Sequence, residues 1–266
     1  MSFKRFYQTT AFLFAFCVAM NAGPVVNTLD TTAYNFQLDG GGGGAQAVLN
    51  KTSTIEVFCV DYSNPIYVPQ QGYQAVLSTL TTGSDLSDTR FGSVTSWTSL
   101  ASGYALTSSA ASFLNSDTAA LDRYQMAAFL VSEYNMSDGP GTLFKLNGSN
   151  TNNDGIQQAI WDLMDPKNQT YGNIAYAQYT DTALFSAESW FTSTTASQRS
   201  SFLANYRIVS DVTMKPCAGN GGMLCGGFQE QITVVPEPRH LALLLMGLLL
   251  IGSAVYRKFS ASRSNA

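Results

Sequence analysis

Read for its alternation of apolar and polar positions, the chain has a strand-like start, a helical middle and a strand-like end. Thr31 to Leu38 alternates with a period of two, and Gly40–Gly44 follow as a flexible loop. Ile55 to Asp61 is a β-prone apolar run centred on Val57-Phe58-Cys59-Val60, and Asn64-Pro65 ends it. Tyr73 to Leu80 fits either a strand or a helix. Ala119 to Tyr134 has helical spacing, with Ala120, Tyr124, Ala127, Ala128 and Val131 on one face. Asn147 to Asn153 is a polar, turn-rich loop, and Asp154 to Met164 is a second helix stopped by Asp165-Pro166. A third helical pattern covers Thr182 to Phe191, and two late strands run over Asn205 to Thr213 and Phe228 to Val235. Strands at both ends with helices between them predict one α+β domain over residues 23–234. Its N- and C-terminal strands should pair in a sheet or sandwich core around a central helical section.

The two ends read as addresses. Lys4 and Arg5 precede an apolar run from Ala11 to Met20, and small residues follow at Asn21 to Gly23. That order is a secretory signal peptide, expected over residues 1–22. At the other end, Val235-Pro236-Glu237-Pro238 leads into an apolar segment from Leu241 to Val255, then Arg257, Lys258 and Arg263. A helix over Leu241 to Val255 is about 22 Å long, against roughly 30 Å of hydrocarbon. It suits transient retention better than permanent anchorage, with the basic tail of Arg257 and Lys258 held on the cytoplasmic side.

This Pro-Glu-Pro motif, short apolar helix and basic end, over residues 235–266, resembles the PEP-CTERM sorting signal of Gram-negative bacteria. The resemblance implies processing by an exosortase, a membrane cysteine protease, after signal peptidase has removed the leader. The precursor would be tethered transiently in the inner membrane. The body would then reach the cell surface or an exopolysaccharide matrix.

Composition narrows the chemistry. Only 12% of residues are charged, and the sole histidine, His240, lies in the sorting region. Ser/His/Asp and Cys/His triads and His-rich metal sites are therefore excluded from the body, and no cofactor or metal is expected. Residues 23–238 carry 8 cations against 18 anions, a net charge of −10. No basic patch remains for nucleic acid. Asn150 to Gly155 resembles the start of a calcium loop, but it lacks a leading Asp and has Trp161 where the closing Glu should stand. Asp162 and Asp165 share a helical face, as paired carboxylates might, but read more simply as a solvated face and a helix end.

Cysteine usage isolates one thiol. Cys17 leaves with the signal peptide, and Cys217 and Cys225 flank a glycine-rich spacer able to close a small disulfide loop in an oxidising compartment. Cys59 is left over. It reads as a small buried hydrophobe, a partner in an intermolecular disulfide, or a reactive group.

The reactive reading comes from a resemblance. Phe58-Cys59-Val60-Asp61, the Ala-rich helix with Tyr124-Gln125-Met126-Ala127-Ala128, and Gly155-Ile156-Gln157-Gln158-Ala159-Ile160-Trp161 occur in this order. They resemble the thioester domains of bacterial surface adhesins, with their aromatic-Cys strand, Ala-rich helix and Thr-Gln-x-Ala motif running into Ile-Trp. Cys59 matches the family's cysteine, Gln157 its glutamine, and Ala159 and Trp161 the residues that follow. Ile156 stands where the family has Thr, which removes a hydroxyl. The resemblance implies an internal thioester between Cys59 and Gln157, shielded by Phe58 and Trp161. It would couple once to an amine or hydroxyl of a polysaccharide or surface protein, without enzymatic turnover. The competing reading of Gln157 is local: Asp154 as N-cap with Gln157 at N3 makes a capping box. The corresponding function is a non-covalent structural or adhesive matrix protein with an inert Cys59. A secreted hydrolase is the weakest reading, since the body offers neither histidine nor a convincing acid pair.

Overall fold

The computed structural model describes residues 26–37, 43–62, 67–95, 97, 119–137, 141–164, 174–217 and 222–235. Ten strands are described: β1 (Val26–Gln37), β2 (Gly43–Leu49), β3 (Ser53–Cys59), β4 (Gln70–Thr79), β5 (Phe144–Leu146), β6 (Ser149–Thr151), β7 (Tyr206–Asp211), β8 (Lys215–Pro216), β9 (Leu224–Cys225) and β10 (Gln231–Val234). The helices are α1 (Ala120–Ser132), α2 (Asn153–Met164), α3 (Ile174–Ser193) and α4 (Ala196–Phe202). Single 3-10 turns cover Gly83–Leu86 and Leu203–Asn205. The expected signal peptide, Pro236–Pro238, the apolar segment from Leu241 to Val255 and the basic tail expected behind it lie outside the described residues. Among the described residues no helix is long and apolar enough to cross a membrane.

The mixed helix-and-strand class agrees with the sequence pattern, but the sheet is neither open nor a sandwich. Six antiparallel strands close into a barrel in the order β1-β2-β3-β10-β7-β4. Closure is achieved by β1, which pairs with β2 along one edge and β4 along the other. Register shifts interrupt both pairings, and such bulges bend a long strand enough to serve two neighbours. Asn50 and Lys51, at φ of 52° and 60°, make the tight turn between β2 and β3.

The segment from Tyr73 to Leu80, ambiguous by periodicity, lies in the barrel as β4. The third helix begins eight residues before Thr182 and ends two after Phe191. Gly43 and Gly44, expected in a loop, open β2. The polar segment from Asn147 to Asn153 also departs from expectation. Asn147-Gly148, at φ of 49° and 83°, turns a small hairpin between β5 and β6, because that dipeptide accepts the two positive φ angles such a turn requires.

Alternation along β3 divides the barrel's inside from its helix-covered outside. Val57 belongs to an interior cluster with Leu29, Ala45, Ala47, Ile55, Ala75, Val209 and Phe228. Phe58 faces the other way and lies in one cross-strand row with Ile232 and Ile208. Tyr124, Met126 and Leu130 of α1 and Ile156 and Ile160 of α2 are buried in the same cluster as that row. The pattern of α1 is therefore more than amphipathic. Arg123 and Gln125 are buried with the apolar face, and Arg123 lies 4.1 Å over the Trp97 ring while donating to the Leu163 carbonyl.

Candidate functional site

The site grows from the end of β3 and the start of α2. Cys59 is the last residue of β3, and it is buried and free of any disulfide. Gln157, on the first turns of α2, is completely buried. Its side-chain amide donates from Nε2 to the backbone carbonyl of Cys59 at 2.8 Å. Its Oε1 accepts from the Tyr134 hydroxyl at 2.7 Å. A carbonyl oxygen can only accept, so the amide nitrogen must be the atom facing Cys59. The fold thus brings together two residues 98 positions apart in sequence.

Local chemistry explains why Gln157 is free for this role. The capping-box reading does not hold: Asn152, not Asp154, caps α2, with Asn152 Oδ1 accepting from the Gly155 N–H at 2.8 Å. The Ile156 N–H returns to the Asn152 carbonyl at 3.1 Å. Asn152 is the N-cap because its side chain reaches the third following amide. Gln157 therefore lies beyond N3 and points across to β3 instead of back to the helix start. Ile156, where the adhesin motif has Thr, is completely buried in the main core. An apolar side chain suits that environment better than an unpartnered hydroxyl.

Packing sets the height of α2 over the barrel. Gly155 meets Tyr179 of α3 so closely that a Cβ there would lie 2.5 Å from the Tyr179 Cβ and 2.9 Å from its carbonyl carbon. Gly155→Ala is therefore expected to lower stability. Strain of about 1–3 kcal/mol outweighs a helix-propensity gain of about 1 kcal/mol. Urea unfolding measures it, and an unchanged midpoint would refute the close-packing argument.

The surrounding residues divide as follows. The Phe58 ring stacks on Tyr134 at 5.2 Å between centroids and 16° between planes. Ala159 is completely buried, and Trp161 packs edge-on to Tyr62 at 4.9 Å. The Asn135 N–H donates to Asn153 Oδ1 and Asn153 Nδ2 donates to the Asn135 carbonyl, both at 3.0 Å. That reciprocal pair joins the segment after α1 to the first residue of α2 and holds Tyr134 between them. Asn152 and Asn153, read in sequence as part of a weak calcium-loop match, are used as cap and clamp. Asp162 is buried rather than solvated and accepts from Gln158 at 2.6 Å; Asp165 lies outside the described residues.

Electrostatics at the site follow from burial. Desolvation pushes the Cys59 thiol up to about 12, against a smaller lowering by the Gly43 backbone N–H. The thiol is thus protonated at neutral pH. Burial also raises the Tyr134 hydroxyl well above its ordinary value, with further increments from the nearby Cys59 and Asp154. Tyr134 therefore remains a hydrogen-bond donor.

Beyond the site, the predicted Cys217–Cys225 disulfide is formed, with Cα atoms 5.3 Å apart. Val235, the residue at which the expected sorting motif begins, directly follows β10, and its N–H donates to the Asn205 carbonyl at 2.9 Å. Tyr134 was missed by sequence reasoning because it follows α1 with no motif of its own. Also missed was a buried network beside β3, in which Arg90 pairs with Asp61 at 2.6 Å and Glu230 receives the Tyr124 hydroxyl. The charge of Asp61 at the end of the apolar run Val57 to Val60 was the available signal; Arg90, between Asp88-Thr89 and Phe91-Gly92, carried none. Comparison with family models, curated proteins and solved structures found no match to this chain.

Proposed function

We propose that this is an exported surface or matrix protein that attaches covalently to a partner through a thioester between Cys59 and Gln157. One observation carries the reading: the buried Gln157 side-chain amide donates to the backbone carbonyl of Cys59 and accepts from the Tyr134 hydroxyl. Holding a thiol and a carboxamide in one rigid site replaces a bimolecular encounter. In forming the bond, Cys59 Sγ attacks Gln157 Cδ, the Cδ–Nε2 bond breaks, and the thiol proton departs with ammonia. A partner amine or hydroxyl then attacks Cδ. The Cδ–Sγ bond breaks, the thiol regains a proton from the nucleophile, and an amide or ester remains. The reaction occurs once per molecule, so no turnover is expected. Export and sorting rest on the signal peptide and on Val235 to Pro238 with the apolar segment and basic tail behind them. Exosortase and signal peptidase are the processing partners, and the residence is the surface or matrix of a Gram-negative bacterium.

A second reading has its own support. The Cys59 thiol is held protonated by burial, and a Gln157 amide with both ends bonded serves equally as a structural strut. On that reading the protein is a non-covalent adhesive component of the matrix, with Cys59 as a small buried hydrophobe.

Intact-mass measurement on the purified body separates the two. The thioester reading expects a mass lower by one ammonia, restored to full mass in Cys59→Ala apart from the substitution itself. Treatment with methylamine should add one methylamine and release one free thiol. A full-mass wild type with a free Cys59 thiol would establish the second reading.

A further inference from the structure

We propose that Tyr134 is a catalytic residue of this site, its hydroxyl being the donor that stabilises negative charge on Gln157 Oε1 both when the thioester forms and when it is transferred. The inference rests on the thioester reading and adds the group that this chemistry otherwise lacks. In each step a nucleophile adds to Cδ, which moves an electron pair onto Oε1 before the leaving group departs. In formation the attacking group is Cys59 Sγ and the departing group is ammonia. In transfer the attacking group is the partner's amine or hydroxyl, and Cys59 departs. Oε1 is common to both steps, and it remains the carbonyl oxygen throughout. A donor fixed on it acts where the charge develops.

The geometry supplies such a donor in advance. Tyr134 Oη lies 2.7 Å from Oε1 in a completely buried pair of groups. Its ring is held by the stack on Phe58, and its backbone neighbour Asn135 is clamped to Asn153 by two hydrogen bonds. Three elements therefore position the hydroxyl: the end of α1, β3 and the start of α2. No reorganisation is needed at the moment of reaction. Water, which would also hydrolyse the product, is excluded from the same space. The other end of the amide donates to the Cys59 backbone carbonyl at 2.8 Å, so the carboxamide is held at both ends.

Tyr134→Phe removes the hydroxyl and keeps the ring. Intact mass and the rate of methylamine incorporation are measured on wild type, Tyr134→Phe and a hydroxyl-deletion control away from the site, Tyr73→Phe, whose ring packs on Phe228 in the barrel, with unfolding midpoints recorded for all three. The expected result is a wild type and a Tyr73→Phe variant that both lack one ammonia. Tyr134→Phe should retain it, or incorporate methylamine on the order of a hundredfold more slowly. Equal ammonia loss and an equal methylamine rate in Tyr134→Phe and wild type would overturn the role of Tyr134 while leaving the thioester intact. If Tyr73→Phe loses the thioester to the same degree, the effect is not particular to Tyr134 and its role is refuted. A wild type at full mass would remove the thioester reading, and this inference with it.

Discussion

Replacing Arg90 with methionine is expected to cost about 3–5 kcal/mol of stability, the range for stripping one partner from a buried ion pair. Arg90 is almost wholly enclosed, and its guanidinium pairs with a completely buried Asp61 at 2.6 Å. The same side chain donates to the carbonyls of Leu224 at 2.9 Å, Gly226 at 2.8 Å and Phe228 at 3.2 Å. Methionine fills much of the volume but leaves the buried Asp61 carboxylate and three carbonyls without that donor, the Phe228 bond being buried and those to Leu224 and Gly226 part-buried. The damage should reach the site. Asp61 stands two residues after Cys59, and the segment Arg90 holds runs on through Glu230, whose carbonyl accepts the Val60 N–H at 3.0 Å. Urea unfolding at neutral pH measures the loss. The double variant with Asp61→Asn should recover part of it, since the stranded charge is then gone. A single-variant cost below about 1 kcal/mol would show that the ion pair contributes little to this fold.

The sequence was most informative where one local rule acts alone. The β3 run, the two inner helices and the glycine-spaced cysteine pair each announce themselves through periodicity, propensity or loop length, and each forms. Asn147-Gly148 suits a two-residue hairpin, but the surrounding polar composition made the segment read as a loop and hid its short strands. Barrel closure was not legible. It depends on β1 bending to meet both β2 and β4, and bulges at its register shifts leave no mark in an alternating pattern. The helix cap was misread by two residues, since both Asn152 and Asp154 are good caps and only the path of the chain from β6 selects the first. At the site, the motif residues Cys59 and Gln157 stood out, whereas Tyr134 did not. Its position depends on a stack with Phe58 and a clamp to Asn153, both long-range contacts without a sequence spacing.

The second large effect is a pH dependence of stability carried by Glu230. Its carboxyl is completely buried and is pushed up to about 7, chiefly by desolvation; hydrogen bonds from Tyr124, the Arg90 N–H and Ser210 and the charge of Arg90 oppose this rise. Oε1 accepts from the Arg90 N–H and from Ser210, both at 2.7 Å, and Oε2 accepts from Tyr124. Asp61, the other carboxylate of the cluster, shares the single cation of Arg90. An unfolded Glu titrates near 4.5, so between that pH and 7 the folded chain binds more protons than the unfolded chain. Stability from this group is therefore full below about 4.5 and is lost as pH rises through 7, with no further change above. A shift from 4.5 to about 7 corresponds to roughly 3 kcal/mol. Glu230→Gln imitates the neutral form: its oxygen keeps the two Oε1 contacts, and its amide can donate to Tyr124, whose oxygen accepts as well as donates. The stability of wild type minus that of Glu230→Gln, from urea unfolding across this range, should fall by about 3 kcal/mol and then level off. A difference that stays flat from pH 4.5 to 7 would mean that Arg90 keeps Glu230 ionised throughout. The carboxylate would then serve as a permanent counter-ion rather than as a group that protonates inside the fold.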